Sequence, residues 1–322
     1  MTADLAPPSP GCAVLVTGGA GFIGSHLVDA ALARGHRVVV LDDLSTGDER
    51  RVPKEARFVR GDIRAAGLDA LLREERIDTI FHFAAQVDVR RSVEDPIFDA
   101  EVNVLGTIRI ASAAAAAGVK QVVFSSSGGA VYGEPVGERA DEDHPLDPCS
   151  AYGVAKLAGE KYLAAIATYG GFALSVLRYA NVYGPRQDGR GEAGVVGIWM
   201  NRLLSGQDAV VNGDGGQTRD FVHVADVVSA NVAAFQRRLP GVFNVGTGVE
   251  TSVRALYGLV AAACGVDTPP RFGPERPGEQ RRSVLDVGRA RAALGLTEVV
   301  PLDAGMRATA EWFRLHRAQQ GL

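Results

Sequence analysis

Short apolar runs alternate with stretches of helical period through the first half of this chain. Ala13–Thr17 reads AVLVT and is followed by 22–34, where Ile23, Leu27, Ala30 and Ala31 recur at helical spacing and Gly35 closes the segment. The runs at 37–41 (RVVVL), 57–60, 79–83, 121–124 and 173–177 repeat the first. Their apolar character is nearly continuous rather than alternating, which predicts strands buried on both faces. Strand–helix–strand repetition predicts a parallel sheet with helices on both sides, and right-handed crossovers make it doubly wound.

After about Asn181 the texture changes. Segments 184–197 and 213–216 are rich in glycine. Helices are predicted near 195–205, 224–238, 251–264 and 303–318, and strands near 209–211, 220–223 and 242–245. The α/β chain is therefore expected to divide into a Rossmann-type domain over 1–181, with 1–10 as a loose tail, and a smaller mixed α/β domain over 182–322. Segment 220–246 is expected to return to the first domain. Loops on such a scaffold commonly carry the substrate site.

Composition acts mainly by exclusion. The 322 residues include 34 basic and 38 acidic side chains, a formal net charge of -4, which argues against a nucleic-acid partner. No apolar run approaches the roughly 20 residues needed to cross a bilayer, so no membrane association is expected. Cys12, Cys149 and Cys264 are far apart and odd in number, which points to a reducing, cytoplasmic setting. The six histidines are scattered, without HExxH or Cys/His spacing, and no metal is expected. His82 and His223 sit in strand-like motifs and read as hydrogen-bonded core residues.

The first strand runs into Thr17-Gly18-Gly19-Ala20-Gly21-Phe22-Ile23-Gly24, in which Gly18, Gly21 and Gly24 have G-x-x-G-x-x-G spacing. Glycines between a strand and a helix let the backbone turn sharply and approach a pyrophosphate whose charge rests on the helix N-terminus. The second strand ends at Asp42, 18 residues past Gly24. A carboxylate there accepts hydrogen bonds from the adenosine ribose and repels a 2′-phosphate, and Asp43 adds to that repulsion. The predicted cofactor is NAD rather than NADP. A P-loop motif is absent.

Tyr152 and Lys156 (YGVAK) lie four residues apart in a helix-like stretch and share one face. A lysine ammonium beside a phenol favours the phenolate, which can take a hydroxyl proton while hydride leaves the same carbon. The pair follows the strand at 121–124, whose end carries Ser125-Ser126-Ser127. Ligands of doubly wound sheets sit at the carboxyl ends of strands, where a serine can bond the reacting hydroxyl.

Together TGGAGFIGS, Asp42-Asp43-Leu44-Ser45-Thr46-Gly47, Gly61-Asp62-Ile63, His82-Phe83-Ala84-Ala85, the serine run and YxxxK resemble the extended short-chain dehydrogenase/reductases. Within them the resemblance is to the UDP-glucose 4-epimerase group, over about residues 12–315. It implies a cofactor site made of Gly18, Gly21, Phe22, Ile23, Gly24, Asp42, Asp43, Ser45, Thr46, Gly47, Phe83, Ala84, Ala85, Ser125 and Tyr179. Asp62 and Ile63 are implied to meet the adenine, and Asn103 to set the cofactor loops. Tyr152 is implied as the base, Lys156 as the holder of the nicotinamide ribose and Ser127 as the third catalytic residue. One extra residue before Val131-Tyr132-Gly133 leaves Ser126 in play beside the preferred Ser127. For the UDP-sugar, the resemblance implies contacts from Ser127, Tyr152 and Asn181, phosphate clamps from Arg219 and Arg276, and a ribose-binding acid at Glu279. Ser283 aligns with a position that gates N-acetylated sugars, and its small side chain leaves room for them. Helices near 96–117 and 151–169 resemble a dimer interface, so a homodimer is expected.

The wider family runs several reactions. Its 4,6-dehydratases carry an Asp-Glu pair just after the Ser/Thr, and its UDP-glucuronate decarboxylases a Glu, where this chain has Gly128-Gly129-Ala130-Val131. Reductases usually prefer NADPH, against which Asp42 argues. The expected activity is an isomerase one: oxidation of a UDP-hexose at C4, rotation of the 4-keto sugar and return of hydride to its opposite face. UDP-glucose and UDP-galactose are the expected sugars, with N-acetylated forms open. UDP-glucuronic acid 4-epimerisation also stays open, with Arg186 and Arg190 as candidate carboxylate contacts, as do the dehydratase, decarboxylase and reductase branches.

Overall fold

The computed structural model describes residues 6–189, 194–275 and 280–320. In chain order its strands are β1 (Ala13–Thr17), β2 (Arg37–Asp42), β3 (Arg57–Arg60), β4 (Ile77–His82), β5 (Gln121–Ser127), β6 (Ala173–Tyr179), β7 (Asn181–Tyr183), β8 (Val210–Asn212), β9 (Thr218–His223), β10 (Gly241–Val245), β11 (Glu250–Ser252), β12 (Arg271–Gly273) and β13 (Arg282–Ser283). Its helices are α1 (Phe22–Leu32), α2 (Leu68–Glu74), α3 (Val89–Glu94), α4 (Pro96–Ala100), α5 (Thr107–Ala117), α6 (Gly128–Val131), α7 (Ala151–Gly170), α8 (Val195–Leu204), α9 (Val224–Arg237), α10 (Val253–Cys264), α11 (Gly288–Leu294) and α12 (Leu302–Gln320). A π-helical turn, Glu101–Gly106, joins α4 to α5.

Seven strands make one parallel sheet in the order β10-β6-β5-β4-β1-β2-β3. Side chains alternate across it, so neighbouring residues feed opposite cores. Val14, Val16, Val38, Val40, Phe81 and Val123 pack toward α1 and α9. Leu15, Val39, Leu41, Ile80, Val122 and Phe124 pack toward α5 and α7. Each large apolar side chain buried in this way contributes about 1.5–3 kcal/mol. A third core gathers Trp199, Leu256, Val260, Met306 and Phe313 from α8, α10 and α12.

The chain winds one way through β2 and β3 and the other way through β4, β5 and β6, so a crevice opens between the carboxyl ends of β1 and β4. The second sheet joins β9 to β7, β11 and β13, and a two-stranded sheet pairs β12 with β8. From β9 the chain returns: α9 packs on α1, and β10 pairs with β6. Thr218–His223 pairs with β11, β13 and β7 in the second sheet.

Other details depart from the sequence expectation. β5 runs on through the serines to Ser127. The helix expected over 96–117 is broken by the π-helical turn; Asn103 inside it and Thr107 just after it bond neighbouring elements. Strands β7, β11, β12 and β13 have two or three residues each, too few to show a period.

One ion pair is fully buried beside the sheet. Arg178 on β6 and Glu160 on α7 meet at 2.6 Å, with side chains 4% and 5% exposed. Glu160 also accepts the Ser126 hydroxyl, and Arg178 donates to the Tyr132 hydroxyl at 2.8 Å, which donates to Asn244 at 2.7 Å. Arg178→Met would leave Glu160 charged and unpaired. It is expected to cost about 3–5 kcal/mol, read as a lower urea midpoint. A loss under about 1 kcal/mol would show the pair to behave like an exposed one.

Candidate active site

The glycine-rich turn lies at the crevice. Gly18 has φ +68, and a Cβ there would stand 2.7 Å from the Ala84 nitrogen. A Cβ on Gly24 would stand 2.2 Å from the Gly18 carbonyl oxygen. The loop, the start of α1 and the segment after β4 are therefore pressed together in a way that no larger residue allows. Gly21 is the N-cap of α1 and brings no side-chain acceptor, so the first-turn N–H groups around Phe22 and Ile23 can receive an anion. Asp42, 7% exposed, accepts Ala20 N–H on one oxygen and Leu44 N–H on the other, each at 2.9 Å. Burial raises its carboxyl above the ordinary range and these two bonds oppose the rise. Asp43 is exposed and accepts the Ser45 amide and hydroxyl. Gly47 passes so close that a Cβ would lie 2.8 Å from Asp42 Oδ1, and Thr46 is exposed beside it.

Along the crevice, Phe83, Ala84 and Ala85 are half-buried. Phe83 N–H donates to the Thr17 carbonyl, and Ala84 N–H to the Thr17 hydroxyl at 3.2 Å. Thr17 Oγ1 meets His82 Nδ1 at 2.7 Å, and His82 Nε2 meets Thr107 Oγ1 at 3.1 Å. Thr107 donates to the Asn103 carbonyl, so its oxygen accepts from His82 Nε2–H, and Nδ1 accepts from Thr17. Burial pushes His82 down to about 3, with Lys156 adding to the fall, and the ring stays neutral. Asn103 holds both the N–H and the carbonyl of Gln86. Farther along, Ile63 is buried against Gly106, and Asp62 is held below the carboxylate range by Arg64 at 2.6 Å.

Ser150 caps α7, accepting Gly153 N–H at 3.1 Å, and Tyr152 and Lys156 project from its first turns. Ser127 hydrogen-bonds the Tyr152 phenol. Ser126 is turned the other way: it shares the sheet face of Phe124 and bonds Glu160. The ambiguity between the two serines is thereby a matter of strand parity. Lys156 is 4% exposed, donates to the Ser125 carbonyl at 3.0 Å, and stands 5.8 Å from the centre of the Tyr152 ring. Burial and then Asp99 push Tyr152 above its ordinary value, opposed by Ser127. Lys156 itself is pulled down to about 8 by burial.

The groups expected to meet a sugar nucleotide are less concentrated. Asn181 is exposed at the start of β7, across Gly129 from Ser283. The Tyr179 hydroxyl is buried against Asn231 and Ser125. Arg219 donates to the carbonyls of Thr218 and Gln280 at 2.8 and 2.7 Å. Arg186 pairs with Asp29 on α1 at 2.7 Å. Arg190, Arg276 and Glu279 lie outside the described residues. His223 caps α9 through Ala225 N–H and packs edge-on against Tyr183.

Four residues of the site went unnoticed in the sequence: Gln86, Ser92, Asp99 and Glu160. Ser92 accepts the Tyr152 N–H at 3.1 Å, and Asp99 on α4 is a 1% exposed carboxylate. Glu160 alone had a local signal, one turn beyond Lys156 on the same helix face.

Residues 14–246 match the model of the NAD dependent epimerase/dehydratase family. The chain is 51% identical over 306 residues to a UDP-glucose 4-epimerase of Mycolicibacterium smegmatis, covering 93% of this chain and 98% of that one. It is similar to the solved structure of a Thermotoga maritima UDP-glucose 4-epimerase with UDP-glucose, at 42% identity and a TM-score of 0.91, covering 95% and 99% of the two chains. A Thermus thermophilus UDP-glucose 4-epimerase complexed with NAD matches at 45% identity and a TM-score of 0.89, covering 94% and 99%.

The geometry separates the serines. Ser127→Ala is expected to lower kcat by about 100- to 10,000-fold with the fold intact. Ser126→Ala is expected to leave kcat near wild type and to cost about 1 kcal/mol of stability. Steady-state kinetics and urea melts of both variants check this, and the reverse pattern would exchange their roles.

Proposed function

The chain belongs to the NAD dependent epimerase/dehydratase family, and from that premise we propose that it is an NAD-dependent UDP-hexose 4-epimerase interconverting UDP-glucose and UDP-galactose. The observation that carries this reading within the family is the surface beside the reacting centre. Helix α6 follows Ser127 directly as Gly128-Gly129-Ala130-Val131 and brings no carboxylate. A Cβ on Gly129 would lie 3.7 Å from Asn181 Oδ1 and 3.8 Å from Ser283 Oγ, so the nearest groups among the described residues are neutral. Elimination of water needs a positioned acid and base there, whereas oxidation and hydride return do not.

The residues fit NAD. The cradle around Gly18 closes to backbone contact where a pyrophosphate must lie, and Asp42 keeps lone pairs for ribose hydroxyls beside the two amides it accepts. Bound there, NAD supplies the hydride acceptor and donor. Tyr152 takes the C4 hydroxyl proton, with Ser127 hydrogen-bonded to both groups, and returns it after the keto-sugar has turned. Lys156 holds the nicotinamide ribose. Phe83, Ala84, Ala85, Ser125 and Tyr179 line the cleft, and Asp62 and Ile63 meet the adenine. Asn181 and Arg219 act on the diphosphate, with Arg276 as a second clamp and Glu279 at the uridine ribose. Residues 1–181 then serve the cofactor and 182–322 the nucleotide sugar. No net oxidation occurs.

A homodimer belongs to the same reading. Val93, Ile97, Leu105, Val154, Tyr162 and Tyr169 are exposed on α3, α4, the π-helical turn and α7, and apolar exposure on neighbouring elements marks interaction surfaces. A cytoplasmic setting agrees with the three free cysteines. Light scattering at micromolar concentration should give the mass of a dimer, and a monomer would remove this part.

Proton NMR of purified enzyme with NAD and, separately, UDP-glucose, UDP-N-acetylglucosamine or UDP-glucuronic acid tests the activity. A 4-epimer of UDP-glucose without net NADH is the expected result. Epimerisation of UDP-glucuronic acid alone would change the substrate, and a dehydrated or decarboxylated product would move the chain to another branch of the family.

A further inference from the structure

Helix α7 carries Tyr152 and Lys156, and the three serines that close β5 meet it one after another. Lys156 Nζ donates to the Ser125 carbonyl at 3.0 Å, the Ser126 hydroxyl donates to Glu160, and Ser127 hydrogen-bonds the Tyr152 phenol. Tyr152, Lys156 and Glu160 follow at intervals of four residues and lie along one face of the helix. The reacting geometry therefore depends on where α7 stands along its own axis over the strand end.

Apolar packing does not settle that position. The helix lies close on β5: a Cβ on Gly159 would stand 3.1 Å from Phe124 Cζ, and Leu163 and Ile166 are buried in the same core. Such contacts set the separation between layers but have no direction. Hydrogen bonds do have one, and a charged two-point fork has the strictest.

Glu160 supplies the fork. Ser126 and Arg178 are register partners on β5 and β6, so their side chains stand side by side on the face turned to α7. Glu160 Oε1 accepts from Ser126 and from Arg178 Nε, the latter at 3.0 Å, and Oε2 accepts Arg178 Nη2 at 2.6 Å. The guanidinium is braced from behind, where its Nη1 donates to the Tyr132 hydroxyl at 2.8 Å. Tyr132 donates in turn to Asn244 at 2.7 Å, and Asn244 to the carbonyls of Ala140 and Asp286. Arg178 therefore cannot swing to follow a displaced helix. The glutamate is 4% exposed and ties α7 to two strands at once.

We propose that Glu160 is a positioning residue that sets the axial register of α7 against β5 and β6, and so brings Tyr152 and Lys156 into place at the serines. The inference rests on the reading of Tyr152 as the base and Lys156 as the holder of the cofactor ribose, and adds the residue that aligns them. Loss of the Ser126 hydroxyl alone leaves the fork to Arg178 intact.

Two variants separate position from stability. In Ser126→Ala/Glu160→Leu/Arg178→Met, apolar groups replace the whole polar set. Such a replacement of a buried pair is often neutral or stabilising, so the urea midpoint is expected to stay near wild type or rise. The fork is gone, however. A shift of α7 by about 0.5–1 Å is expected to lower kcat by about 10- to 100-fold with KM little changed. Glu160→Gln keeps the arm length and the Oε1 bonds to Ser126 and Arg178 Nε while losing the charge. It is expected to have a lower urea midpoint than the triple variant and yet a higher kcat. A merely structural role would make activity follow stability.

If the triple variant does not fold, Glu160→Asp takes its place. It keeps the charge on a shorter arm, and its kcat is expected to fall below that of Glu160→Gln. Crystal structures of the folded variants read the register directly. The 3.0 Å contact between Lys156 Nζ and the Ser125 carbonyl should open in the triple or Asp variant and persist in Glu160→Gln. Wild-type kcat in the triple variant, an unchanged contact there, or an Asp variant as fast as the Gln variant overturns the proposal. The contact is measured without substrate or turnover. Failure of the wild type to epimerise any sugar would therefore sink the functional reading and leave the register result standing.

Discussion

Thr17 and His82 share a 2.7 Å hydrogen bond at the point where the sheet reverses its winding, and the site is organised around it. A crevice between diverging parallel strands exposes the last backbone groups of both strands and must satisfy them without filling the space. The chain meets that constraint with one directional relay. Ala84 N–H donates to Thr17, Thr17 to His82, His82 to Thr107 and Thr107 to the Asn103 carbonyl. Its direction requires a neutral ring, which burial enforces. The relay holds the segment at Phe83 to Ala85 against the glycine-rich turn and pins the π-helical turn behind it.

The same region shows how charge is managed away from water. Three buried ionic side chains gather on α7 and β6, and each is expensive by itself. Glu160 and Arg178 cancel directly and use their remaining hydrogen-bonding capacity on Ser126 and Tyr132. Lys156 makes no such contact pair and stays adjustable, pulled down by burial and held up by Asp99 and Glu160. A rigid pair thus lies beside a lysine whose charge the surroundings tune.

The second region works by contrast with this. Its strands are short, and their pairing carries β7 and β13 to the mouth of the crevice, where Asn181 and Ser283 face each other across Gly129. Because α6 is built from small residues, the described groups at that surface are a neutral amide and a hydroxyl. The difference between a centre that moves hydride and one that also removes water thus rests on four residues following a strand.

Much of this was legible in the chain. Continuous apolar runs announced a sheet covered on both faces, since both faces have to be buried. Gly18, Gly21, Gly24 and Asp42 announced the cofactor, because close backbone approach and ribose recognition each need a particular residue at a particular spacing. Tyr152 and Lys156 followed from one turn of helix. These features are local, and local geometry is set by covalent spacing. What separates Ser127 from Ser126 required the strand to run on through the serines, because parity then sends the Ser126 side chain to Glu160 and the Ser127 side chain to Tyr152. The break in the helix at Asn103, the short strands of the second region and the burial of Asp99 were hidden for a related reason. Each depends on what a residue meets across tens of positions of sequence, and a buried charge takes its meaning from the charges that folding brings beside it.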